Sequence, residues 1–170
     1  MEIIKELKSN PGLLPKIVIL VYRFGNFTVY KVKLPVVKQL LYIVYRIIDL
    51  FFLKMLLNDD IPAEFKAGWG FKIYHPYGIF INAGSIVGDN FTCRGQVTIG
   101  NKGVKSKKGV KSKKCPHIGN DVEIGVGARI IGDVSIGNGC IIGANSVVTR
   151  SFGKSKILVG IPAREIRVRE

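Results

Sequence analysis

The sequence predicts a parallel β-helix of six-residue repeats preceded by a short helical segment. Three observations carry this: a six-residue aliphatic period after residue 60, a second apolar position four residues into each repeat, and a different pattern before residue 59. The leading positions run Ile61, Ala67, Ile73, Ile79, then Val87, Cys93 and Ile99, and after a gap from Ile118 through Ile124, Ile130, Ile136 and Ile142 to Val148. The second positions include Phe65, Phe71, Tyr77, Phe91, Val122, Cys140 and Phe152. Two inward positions per hexad describe one flat face of a triangular prism, so three hexads complete a coil. The longer step from Ile79 to Val87 implies a two-residue bulge near Ala83-Gly84. The Gly that often follows the leading aliphatic fits a corner where the backbone turns into the left-handed region.

Residues 1–58 read as helical. Asn10-Pro11-Gly12 is a turn, Leu13–Arg23 is an apolar run ending near Gly25-Asn26, and Pro35 suits the first turn of a helix over 36–57. On that helix Lys38, Gln39, Arg46, Asp49 and Lys54 gather within about half the circumference at ~100° per residue. The remaining positions are Leu, Ile, Val, Tyr and Phe. Two readings fit this pattern: packing on the β-helix or on neighbouring subunits, or a helix lying on an anionic membrane. No stretch is long and uncharged enough to predict a transmembrane span. The boundaries expected are 1–58 for the helical segment and 59–170 for the coil, with a lysine-rich loop at 102–117.

The net charge is +14 and points to an anionic partner. Seven lysines crowd residues 102–114, where Gly103-Val104-Lys105-Ser106-Lys107-Lys108 is repeated as 109–114. This segment has no apolar period and reads as an excursion from the coil. Nucleic-acid binding is not expected, because no aromatic residues interleave the lysines. Cys93, Cys115 and Cys140 have neither metal-like nor disulfide-like spacing, and Cys93 and Cys140 fall at inward positions. No apolar run with a cleavage site follows Met1, so a reducing, cytoplasmic setting is expected, with peripheral contact at the inner face of the membrane as the further reading.

His75 in Ile73-Tyr74-His75-Pro76-Tyr77-Gly78 falls where the period points its ring outward, which by itself fits either an ordinary surface residue or a site residue. The segment 70–100, the restart Pro116-His117-Ile118-Gly119 and the ending Gly160-Ile161-Pro162-Ala163-Arg164 resemble the serine acetyltransferase branch of the hexapeptide-repeat acyltransferases. The likeness runs over about 60–168, and it implies a left-handed coil and a homotrimer. It also implies that His75 is the general base that deprotonates an acceptor hydroxyl attacking acetyl-CoA, a task suited to imidazole near neutral pH. Asp60, fifteen residues earlier and nearly one coil away, is implied as the carboxylate that orients His75. The resemblance further implies that backbone groups at Asn101, Val126 and Ala144 line the pantetheine arm of CoA, with Lys113 and Arg164 near its phosphates. No metal is implied.

The departures from that family shape the expected acceptor. Tyr74 stands where an acid would contact the amine of serine, and Lys114-Cys115 stands where an Arg-His pair would hold its carboxylate. A site of this composition fits a sugar better than an amino acid, with Tyr74 and Tyr77 against the sugar face and Lys114 and His117 as further contacts. The expected function is O-acetylation of a carbohydrate in surface polysaccharide biosynthesis. Serine O-acetylation and a non-catalytic β-helix scaffold are the alternatives.

Overall fold

The computed structural model describes residues 2–103 and 114–168. Three helices open the chain: α1 (Glu2–Ser9), α2 (Leu13–Tyr30) and α3 (Pro35–Ile48), the last continuing directly into a wider π-helical stretch, Asp49–Leu56. Gly12 precedes α2, and Pro35 occupies the first turn of α3, as the sequence predicts. However, α2 does not end at Gly25-Asn26. Gly25 is a contact point, since a Cβ there would collide with the ring of Tyr45 from α3. The Asn26 amide donates to the carbonyls of Ala63 and Phe65. Tertiary partners thus outweigh the local turn preference of both residues.

The rest of the chain winds around three faces. Face I holds β1 (Lys66–Ala67), β4 (Ile86–Val87), β7 (His117–Ile118) and β10 (Ser135–Ile136). Face II holds β2 (Lys72–Tyr74), β5 (Thr92–Arg94), β8 (Glu123–Ile124), β11 (Ile141–Ile142) and β13 (Lys156–Gly160). Face III holds β3 (Phe80–Ile81), β6 (Thr98–Gly100), β9 (Arg129–Ile131) and β12 (Val147–Val148). Within each face the strands up to β13 pair in parallel, and up to β12 each pairs with the one three places on, so the chain visits the faces in rotation. This is a three-faced parallel β-helix. Ile73, Cys93, Ile124, Ile142 and Leu158 stack in register down the inside of face II. All five are buried, and each repeat buries its aliphatic side chains for roughly 1.5–3 kcal/mol apiece.

Three positions depart from the expected pattern. Ala67 and Phe152 are only half-buried. Tyr77 is 49% exposed, and Pro76 is buried in its place. The cause is the length of the turn at His75, which holds two residues more than the matching corner between β5 and β6. The glycines of the Ile-Gly pairs also serve a different purpose from the one expected. Left-handed backbone falls elsewhere in each coil, at residues such as Gly127 and Asn145. At Gly125 the constraint is coil stacking, because a Cβ would approach the Ala144 nitrogen to 2.5 Å. The two extra residues are present but lie earlier than expected, in the His75 turn between β2 and β3, so that Ile81 rather than Ile79 pairs with Ile99. The chain at Ala83-Gly84 makes an ordinary coil corner, with Ser85 N–H bonded to the Asn82 carbonyl. The closing Gly160-Ile161-Pro162-Ala163 is a hairpin turn: β14 (Ala163–Val168) folds back antiparallel on β13 and ends the coil.

At the other end, helices α1 and α2 cover the first coil. Its strands have no coil before them, so their backbone groups need other partners. Asn10 accepts from Ile73 N–H and donates to the Phe71 carbonyl, both at close range (2.8 and 2.9 Å). Glu6 accepts from Phe71 N–H at 2.8 Å and pairs with Arg23 at 2.6 Å. Arg23 also donates to the carbonyls of Ala67 and Gly68. The Tyr22 hydroxyl donates to the Phe65 carbonyl and accepts from Ala67 N–H. Its ring begins an aromatic stack through Phe65 and Phe71 to Phe91, with centroids 5.5–6.2 Å apart.

Two substitutions test this cap by chemical denaturation. Asn10→Ala leaves the buried Ile73 N–H and Phe71 carbonyl without this partner and is expected to cost about 2–4 kcal/mol. Arg23→Met strands the buried Glu6 carboxylate and is expected to cost about 3–5 kcal/mol. A loss below about 1 kcal/mol in both would show that the cap contributes little.

Candidate active site

His75 sits at the corner where face II turns into face III. It follows β2, and its carbonyl accepts from Tyr77 N–H at 2.8 Å, closing a tight turn. Its left-handed backbone (φ 55°) is shared by Gln96 and Asn145 at the same corner of later coils, so the conformation belongs to the coil corner. The turn is built by its neighbours. Gly78 N–H donates to the Leu57 carbonyl from the side of the helical segment. On the next coil Gln96 N–H donates to the Tyr77 carbonyl, and Gly95 passes so close that a Cβ would press on the His75 carbonyl. The ring itself is exposed and makes no hydrogen bond or ion pair among the described residues.

The same corner carries two of the expected cofactor positions. Below Tyr77 and Gly78 come Gly95 and Gln96, then Val126 and Gly127, then Ala144 and Asn145. The links are Gly127 N–H to Gly95 carbonyl (3.0 Å) and Asn145 N–H to Val126 carbonyl (2.8 Å). Val126 and Ala144 are both exposed on it. Arg129 braces this edge by donating to the carbonyls of Gln96 and Gly127. Asn101 lies at the opposite edge of face III, where the chain leaves the coil at the corner formed by Asn82, Gly100 and Gly132. Face III therefore runs between the His75 corner and the root of the lysine-rich excursion. The methylenes of Lys102 cover Gly132 at that root.

The other expected residues are spread out. Tyr74 is half-buried on face II with the Arg94 guanidinium 5.5 Å from its ring, while Tyr77 projects from the His75 turn. His117 is exposed on face I, between Ile86 and Ser135, and one chain does not bring it to His75. Lys114 pairs with Asp133 at 2.9 Å. Arg164 lies on β14, at the far edge of face II from Tyr74. Lys113 and most of the loop lysines lie outside the described residues.

Asp60 requires a correction. The fifteen-residue spacing suggests that it sits over His75, but the two extra residues of the first coil place it beside Phe80. Its backbone bonds to Ile79 and Ile81, and its carboxylate is 3.2 Å from Lys54 Nζ. No hydrogen bond joins Asp60 to His75 among the described residues. Cys115, for its part, is buried, donates its thiol to Asn82 Oδ1 at 3.2 Å, and is pushed up in pKa by that burial. A thiol kept protonated is a poor nucleophile, which disfavours covalent catalysis through it.

Comparison with known proteins places this geometry among relatives. Residues 115–150 match the family model described as bacterial transferase hexapeptide (six repeats). The putative colanic acid biosynthesis acetyltransferase WcaB of Escherichia coli K12 is 36% identical over 166 residues, covering 95% of this chain and 96% of that protein. The serine acetyltransferase of Synechococcus elongatus is 34% identical over 137 residues, 81% of this chain and 51% of that one. Among solved structures, a Brucella abortus serine acetyltransferase in complex with coenzyme A superposes with a TM-score of 0.77 at 25% identity, covering 93% of this chain and 58% of that one. The chain thus spans about half the length of the serine acetyltransferases it matches.

Asp59 is the residue at this site that sequence reasoning passed over. It is buried, and its Oδ1 accepts from Ile79 N–H at 2.7 Å, tying down the chain just after the His75 turn. Its Oδ2 has no hydrogen-bond partner among the described residues. Burial pushes its carboxyl up to about 7, although hydrogen bonds from Ile79 and Gly78 oppose the shift. The folded state therefore holds this proton more tightly than the unfolded chain. The stability it contributes is complete below pH ~4 and is lost as pH rises to about 7. Asp59→Asn keeps an acceptor for Ile79 without the charge. Its stability, followed by urea denaturation from pH 4 to 8, is expected to fall less with rising pH than that of the unsubstituted chain. Parallel curves would rule out Asp59 as the titrating group.

Proposed function

The chain belongs to the bacterial hexapeptide-repeat acetyltransferases, and on that basis we propose that it moves acetyl from acetyl-CoA to a hydroxyl of a carbohydrate in surface polysaccharide biosynthesis. The observation that carries this reading is the corner stack. A free imidazole on a constrained turn shares one edge of face III with the exposed backbone at Val126 and Ala144. The coil is read as left-handed, the hand the resemblance implies, and the active unit as a homotrimer in which a neighbouring copy closes the open corner.

The residues present suit the donor. Face III and its corner offer small or apolar surface at Val126, Ala144 and Phe80 for a pantetheine arm, and cationic Lys102 and Arg129 stand at its two edges. In the reaction His75 takes the proton from the acceptor hydroxyl as that oxygen bonds to the thioester carbon. The resulting tetrahedral intermediate collapses, the C–S bond breaks, and the imidazolium returns the proton to the leaving CoA sulfur. The resemblance alone assigns Asp60 as the carboxylate partner of the imidazolium, a role for which its carboxylate would have to leave Lys54. Tyr74 and Tyr77 offer ring faces and hydroxyls to a sugar, with Arg94 setting the ring of Tyr74. Relatives named for polysaccharide biosynthesis and for serine both exist, and Tyr74 in place of an acid favours the sugar. The reaction is assigned to the cytoplasmic side of the membrane, where acetyl-CoA is available.

Release of CoA measured with an oligosaccharide acceptor and with L-serine separates the readings. The expected result is turnover with the oligosaccharide alone. His75→Ala should lower kcat by about 10²–10⁴-fold with unchanged thermal stability, since the ring is solvent-facing. Turnover with L-serine alone would overturn the carbohydrate reading, and full activity in His75→Ala would remove the general base.

A further inference from the structure

We propose that the outward face of α3 and its π-helical continuation is a docking surface for an anionic phospholipid leaflet. The helix is turned opposite to the usual arrangement. Tyr45, Asp49 and Leu53 face inward and are buried, with Tyr45 seated on Gly25 of α2. The outward side carries Val36, Leu40, Ile43, Ile47 and Phe51, all exposed and spaced three or four apart. Val36 is 72% exposed and Ile47 58%. From Val36 to Phe51 this strip runs for ~22 Å at ~1.5 Å per residue. Its outermost line holds no polar residue; Gln39 and Arg46 stand at its margin.

Charge identifies the occupant. Residues 31–56 contain Lys31, Lys33, Lys38, Arg46 and Lys54, and their only acid, Asp49, is buried. Lys38 donates to the Val29 carbonyl and Lys54 pairs with Asp49 and Asp60. Lys31, Lys33 and Arg46 remain exposed around the apolar strip. Pairing with a second copy of this face would oppose two cationic rims, and the exposed acid beside them, Asp60, is already held by Lys54. Anionic headgroups complement the rim while acyl chains take the apolar strip, the combination an interfacial helix requires. Among the described residues no helix is long and apolar enough to cross a membrane. The arrangement is that of a helix lying along the surface.

The test is co-sedimentation of the full chain with vesicles of phosphatidylglycerol and phosphatidylcholine, or of phosphatidylcholine alone, at about 0.1 M and about 1 M salt. Binding to the anionic vesicles is expected, weakened at the higher salt. Lys33→Glu/Arg46→Glu should reduce partitioning by roughly fivefold or more for each residue replaced, and Leu40→Glu/Ile47→Glu should abolish it. These side chains are exposed, so circular dichroism and melting temperature should hold. No binding to anionic vesicles, or undiminished binding by Leu40→Glu/Ile47→Glu, overturns the proposal. So does an assembly that loses subunits in Leu40→Glu/Ile47→Glu by sedimentation velocity, which would assign the face to a second copy. Acetyl transfer is not read in this experiment, so its outcome is independent of the catalytic reading.

Discussion

A β-helix has an open edge at the end where its first coil begins. The remaining structure depends on how that edge is closed. Unpaired strand groups buried under a helix are costly, and exposed ones invite pairing with another chain. Here the edge is met by side chains: Glu6, Asn10, Tyr22, Arg23 and Asn26 take up donors and acceptors of the residues from 63 to 73. The Tyr22 ring then continues into the aromatic stack, so the helices and the coil share one core. A buried ion pair such as Glu6–Arg23 contributes little by itself after desolvation. Its value lies in the backbone groups it satisfies, which set the angle at which the helices sit on the coil.

That closure also sets up the site. The first coil holds the His75 turn, and two of its supports come from the junction with the helical segment: the Leu57 carbonyl and the Asp59 carboxylate. The coils that follow stack their corner glycines and exposed backbone below it. The backbone of the His75 turn is thereby held from both sides. The same helical segment turns a charged and apolar surface outward. Membrane docking and catalysis would then share one rigid body, with the apolar strip and the His75 corner joined through the first coil.

Much of this was legible in the chain. A period of six with two apolar positions per repeat can be satisfied by few folds, and inward stacking followed almost residue by residue because a strand side chain can only point in or out. The failures are instructive. The period assigns Tyr77 to the core, but two residues inserted at the His75 turn leave it facing outward. Counting sets Asp60 over His75, but the same two inserted residues leave it beside Phe80. Gly25-Asn26 looked like a helix end, but their partners are about twenty to forty residues away.

The sequence by itself determined the repeat, its inward positions, the excursion, the helical character of the first 58 residues and the outward His75. These are properties of local pattern and of the side-chain direction that pattern imposes. Only the tertiary structure decided which polar residues close the first coil, that Asp59 is buried, that Val126 and Ala144 share the corner of His75, and that α3 presents its apolar side outward. Each of those depends on contacts between residues distant in the chain. Hydrophobic periodicity reports that a helix has an apolar face, but which face turns inward is set by its docking partner, here the gap left at Gly25 for Tyr45.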